Sequence, residues 1–241
     1  MKPARFLTSF EMTGLKQKPR SLNRGFRYSG GMRDIPYHQS PAKNACAFAC
    51  YLMTGQAMFP DMTPEQMKSM TGWEEGYVLW GMKYWLWLMD QGVRVTNIDT
   101  WDYDAVAQDG LDGLRRISTP EAYDFTVRNT RDITALLNDI RTCFAHPNFT
   151  YIRRAATIDD IADALDKNHL CEVVLDSRTL NEKDGYVPHR VVPLEMTDKE
   201  IVFHNPAAPE DPAGPHRREK LSVFERALAR TKGEVTIYMR S

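Results

Sequence analysis

The stretch YHQSPAKNACAFACYLMTG, Tyr37–Gly55, decides how the rest of the chain is read. Pro36 and Pro41 keep the chain ahead of it extended, because the residue before a proline is pushed out of the helical region. From Asn44 the pattern changes. Ala45, Phe48, Ala49, Leu52 and Met53 recur at helical spacing, and Gly55 reads as a stop. A helix therefore starts just before Cys46. A thiol attacks as thiolate, so a reactive cysteine needs something that lowers its pKa. A helix N-terminus does this through its dipole and its free N–H groups, and Cys46 sits in that field. Cys50 lies one turn deeper and reads as core, with a role as resolving thiol only if Cys46 is oxidised. The same N–H groups can hold an oxyanion, and Gln39, just upstream, is placed to donate a second hydrogen bond.

A thiolate needs a base, and the base needs an orienting partner. His189 opens a strand after the loop NEKDGYVPH, and Asn205 closes the next one, EIVFHN. Neighbouring antiparallel strands would bring the two side chains together. In such a strand His204 points away from Asn205 and is excluded as the base. Asp176, in VVLDSRTL, is a candidate for the wall of the cleft. A zinc reading takes Cys46, Cys50, His189 and His204, but the histidines are not a tight pair, so no cofactor or metal is expected.

Around these motifs the chain reads as helices first and strands last, an α+β pattern. MTPEQMKSMTG starts a helix with Thr63 as N-cap and Gln66 closing a capping box. Residues 74–91 read as one greasy helix, whose Trp80, Trp85 and Trp87 offer a surface for a homo-oligomer. GVRVTNID reads as a strand, residues 100–145 as polar helical pieces, and TIDDIADALDKNH as an amphipathic helix capped by Thr157. CEVVLDS, HRVVPLEMT, EIVFHNP and GEVTIYMR are the later strands. Pro193 marks an edge or a bulge in the second of these.

With 241 residues, 42% hydrophobic and 26% charged, the chain can bury a core without staples. Four irregularly spaced cysteines do not make a disulfide framework, so a reducing, cytoplasmic setting is expected. No signal peptide is visible, and the greasiest stretch carries Lys83 and is too short to span a bilayer. Residues 1–33 form a basic N-terminal extension, with eight Lys and Arg against one acid, Glu11. The arm is read as a surface extension whose charge only solvates it, and nucleic acid is not expected as a partner.

The quoted stretches, with the trailing EKLSVFERAL, resemble the papain-like cysteine peptidases, and among them the bacteriocin-processing (double-glycine), C-39-like, branch. The resemblance covers about residues 35–235. It implies a papain-like α+β fold over residues 34–241, a helical half plus an antiparallel sheet. It also implies Cys46 as nucleophile, His189 as base, Asn205 as orienter and Gln39 as oxyanion donor. The order Cys, His, Asn and the separations of 143 and 159 residues lie close to that pattern. Three features depart from it. Ala47 stands where the family has Gly, the Gln39–Cys46 gap is one residue longer, and Arg190 sits beside the base. The activity implied is hydrolysis of an amide or ester in a peptide or amide-containing substrate, through a thioacyl-enzyme. An acyl- or peptidyl-transferase with the same site, or an inactive binding module of the same fold, are the alternatives.

Overall fold

A computed structural model describes residues 34–207 and 212–240, so the basic extension at 1–33 lies outside the described residues. Asn44 adopts a left-handed conformation (φ 63°), which asparagine tolerates better than most residues, and this turns the extended segment into helix α1, Cys46–Met58. The helix runs past Gly55. That glycine is there for packing: a β-carbon on it would lie 2.5 Å from Met62 Sδ. Helix α2, Pro64–Thr71, has the expected capping box between Thr63 and Gln66.

The long greasy helix is shorter than its sequence pattern. Helix α3 spans Met82–Asp90, and residues 74–81 are not helical. Gly76 takes φ 92°, Val78 N–H bonds Asn129 O, and Gly81 passes under the Trp85 indole. The apolar periodicity of Val78, Leu79 and Trp80 thus belongs to a packed loop. Trp85 is buried in the core, while Trp80 and Trp87 are half-buried.

Strand β1 is Arg94–Asp99. The polar region resolves into α4 (Tyr103–Asp109), α5 (Leu111–Ile117), α6 (Pro120–Asn129) and α7 (Ile133–Ala145). Asp102, Thr119 and Asp132 cap three of these. Strand β2, Phe149–Arg153, and helix α8, Ile158–Asp166, follow. The last part holds β3 (Leu170–Asp176), α9 (Ser177–Leu180), β4 (Pro188–Met196), β5 (Glu200–Asn205), β6 (Gly214–Lys220), α10 (Leu221–Arg230) and β7 (Glu234–Met239).

The described strands form one sheet in the order β2-β1-β7-β3-β4-β5-β6. The mixture of helices with one sheet is compatible with the α+β expectation. One expectation is corrected: the sheet is mixed rather than antiparallel, because β1 and β2 run parallel, and β2 is a strand that the sequence did not show. Strands β4 and β5 are covered on both faces, which is why their hydrophobic alternation is weak in sequence. Pro193 is tolerated in this inner strand by a register shift between Pro193 and Glu195.

Helices lie on both faces. On one, α1, α3 and α7 cover Val95, Val192, Leu194 and Tyr238. On the other, α8 and α10 cover Cys171, Val173, Leu175, Phe203 and Val235. The inner strands therefore split their odd and even residues between two cores. Among the described residues no helix is long and apolar enough to cross a membrane.

Candidate active site

Cys46 is the first residue of α1. Ala45 at the N-cap provides no side-chain cap, and among the described residues the first turn carries no acid. The positive end of the helix is thus left uncompensated beside the sulfur. All four cysteines are free, but only Cys46 is half-exposed; Cys50, Cys143 and Cys171 are buried.

The sulfur of Cys46 is hydrogen-bonded to the His189 side chain and receives the main-chain N–H of Arg190. Burial pushes the thiol pKa up. The His189 hydrogen bond and charge, the Arg190 N–H and the Arg190 cation outweigh it, and the thiol falls to about 7. Cys50, one turn along, goes the opposite way: burial and the nearby Glu172 push its pKa well up. The two cysteines of the CAFAC run are separated by environment: Cys50 is buried in the core, and Cys46 stands partly exposed at the helix start.

His189 Nε2 lies 2.7 Å from Asn205 Oδ1. The orientation of the Asn205 amide follows from its other contacts. Its Oδ1 also accepts from Ala207 N–H at 3.2 Å, and its Nδ2 donates to Pro212 O at 2.7 Å. A flipped amide would set donor against donor and acceptor against acceptor. So Nε2 carries a proton and donates a hydrogen bond to Asn205 Oδ1.

Strand alternation places the neighbours of this pair. Arg190 and His204 point to the opposite face from His189 and Asn205. His204 Nε2 meets Ile35 O at 2.8 Å. This divides the four residues weighed for zinc, and among the described residues no three His, Cys, Asp or Glu side chains converge as a metal site.

Gln39 is exposed on residues 35–40, a segment fastened at several points. Tyr37 Oη donates to Asn205 O at 3.1 Å, Ser40 N–H to Pro206 O at 2.8 Å, and His38 Nε2 meets Gln56 Oε1 at 2.6 Å. The segment therefore ties the end of β5 to α1. Asp176 is buried and serves structure. Its carboxylate accepts from the N–H groups of Arg178, Thr179 and Val187, which fixes the loop leading into His189.

One group of residues escaped the sequence reading. Arg190 does stand beside the base in sequence, but its guanidinium goes under α1. It donates to Glu172 Oε2 at 3.2 Å and Glu234 Oε1 at 2.6 Å, and lies 5.5 Å from the centre of the Tyr51 ring. Glu172 is fully buried and also accepts from Thr54 Oγ1 at 2.7 Å. Burial pushes Glu172 up to about 7 against the pull of Arg190 and Thr54. Asp99, further along the same face, is also raised to about 7 by burial and by Glu234. The signal was present in sequence: a lone acid in the apolar run LCEVVL and an arginine in HRVV are charges inside buried strands, and buried charges come paired.

A cavity of about 290 Å³ lies elsewhere, lined by Trp73, Trp80, Lys83 and Arg131 among others, and by none of Cys46, His189 or Asn205. No family model, curated protein or solved structure matches this chain.

Proposed function

We propose that the chain is a cysteine-dependent hydrolase of the peptidase or amidase type, with a papain-like arrangement of a helical half against a sheet. The observation that carries this reading is the hydrogen-bonded line from Cys46 through His189 to Asn205. A thiol on a partly exposed residue at a helix start, beside a histidine held by Asn205, is the arrangement that nucleophilic catalysis needs.

The proposed steps are these. His189 Nδ1 takes the Cys46 proton, leaving thiolate and imidazolium. The thiolate adds to the carbonyl carbon of an amide or ester. The oxyanion meets the free N–H groups of the first turn of α1 and the Gln39 side chain. Collapse breaks the C–N or C–O bond, and His189 returns its proton to the leaving amine or alcohol. A water then gives a proton to His189 and attacks the thioester, releasing acid and restoring the thiol. Asn205 holds His189 throughout. Free cysteines fit a reducing, cytoplasmic setting for this chemistry.

Incubation with p-nitrophenyl acetate, followed by intact mass, tests the reading. An acetyl adduct on Cys46 that forms with a burst of nitrophenol and decays in water supports it. Its absence in wild type, or its persistence in Cys46→Ala, contradicts it. Capture of the acetyl group by added amines faster than by water would move the assignment to an acyltransferase, which shares every step up to the thioester.

A further inference from the structure

Strand β4 presents two consecutive residues to Cys46 in different ways. His189 offers its ring, and Arg190 offers its main-chain N–H while its side chain runs beneath α1. We propose that Arg190 is a positioning residue for Cys46: its N–H holds the sulfur, and its guanidinium, pinned by Glu172 and Glu234, supplies a buried positive charge beneath the helix that carries the thiol. This rests on the hydrolase reading above and adds a residue that works through Cys46 rather than on substrate.

The cost of the arrangement argues for a purpose. Arg190 and Glu172 are taken out of water and Glu234 partly so, and apolar packing of the same volume would hold such a site at least as well. The guanidinium is the one cation that keeps its charge at any working pH. It is anchored on both sides, across 18 and 44 residues of chain, so it cannot swing away from the helix.

The charges facing Arg190 are few and come from every element packed there. Helix α1 contributes Cys46, Cys50 and Tyr51, and α4 contributes Tyr103. Strand β1 contributes Asp99, β3 Glu172, and β7 Glu234 and Tyr238. Burial pushes the three tyrosines up, so they stay neutral. At the sulfur His189 acts most strongly and Arg190 adds to it, the Arg190 charge being offset by the carboxylates that pin it. Removing the cation and removing a carboxylate must act on the thiol in opposite directions.

Iodoacetamide labelling of the full chain, read by intact mass across pH, tests this. Arg190→Met should shift the labelling midpoint of Cys46 upward by about one pH unit, an approximately ten-fold loss of rate near pH 6. Arg190→Lys, which keeps the charge, should recover part of it. Glu234→Gln should shift the midpoint downward. A purely structural role would lower melting temperature in all three without moving midpoints in opposite directions. If Arg190→Met does not fold, Glu234→Gln and Glu172→Gln still read the downward shift. A wild-type midpoint that is low and depends on His189, yet is unmoved by these variants, overturns the role of Arg190 and leaves the hydrolase reading standing. An ordinary wild-type midpoint overturns both.

Discussion

His189 Nε2 and Asn205 Oδ1 stand 2.7 Å apart across sixteen residues of chain, and the Asn205 amide has no freedom to turn. That fixes Nε2 as the ring nitrogen that donates to Asn205. Asn205→Ala removes the constraint and leaves Pro212 O and Ala207 N–H without their partner, at a cost of about 1–3 kcal/mol. We expect the Cys46 labelling midpoint to rise and the melting temperature to fall together, seen by iodoacetamide titration and calorimetry. An unchanged midpoint would show that Asn205 does not orient the base.

The cysteines should separate cleanly. In the native chain one equivalent of iodoacetamide label should enter rapidly, at Cys46, because Cys50, Cys143 and Cys171 are buried. In denaturant all four should react. Cys50→Ala should leave the fast phase intact, and Cys46→Ala should abolish it. Peptide mapping of the first label checks this.

Stability should depend on Glu172 with a definite sign. Its folded pKa is raised from 4.5 to about 7, so the folded chain holds a proton that the unfolded chain releases. Glu172 then stabilises fully below about pH 4.5, and that contribution is lost as pH rises to about 7. Asp99, raised to about 7, acts the same way from about pH 4. Thermal midpoints between pH 4.5 and 8 should fall less steeply in Glu172→Gln than in wild type. Parallel slopes would contradict the burial of an ionising group there.

A structural control lies far from the thiol. A β-carbon on Gly113 would sit 2.1 Å from Ala105 O and 2.7 Å from Ala105 C, where α4 and α5 touch backbone to backbone. Gly113→Ala should cost roughly 3 kcal/mol, because the backbone cannot step aside as a side chain can. Urea unfolding should show that loss, with Cys46 labelling unchanged in the folded protein.

Much of the frame was legible because local chemistry wrote it. The capping box at Thr63 and Gln66 marks α2, and the apolar run CEVVL marks β3. The candidate site was legible because helix starts and strand ends are where sequence punctuation is strongest. Cys46 follows Asn44, and His189 and Asn205 each stand next to a proline. The edge strands were not legible. β6 reads GPHRREK and β2 is mostly uncovered, so neither shows a buried face. Helix α3 was overdrawn because apolar spacing outlasts the helix, and only Gly76 and Gly81 mark the break. The pairing of Arg190 with Glu172 and Glu234 depends on which strands become neighbours, and spacing within one strand cannot give that.

The central claim is that Cys46 and His189 act as one ionising unit. The most direct test is the pH dependence of Cys46 labelling in wild type and in His189→Ala. The account predicts a wild-type midpoint of about 7, moving up toward the ordinary thiol value of about 8.5 without the histidine. The same midpoint near 8.5 in both proteins would contradict it.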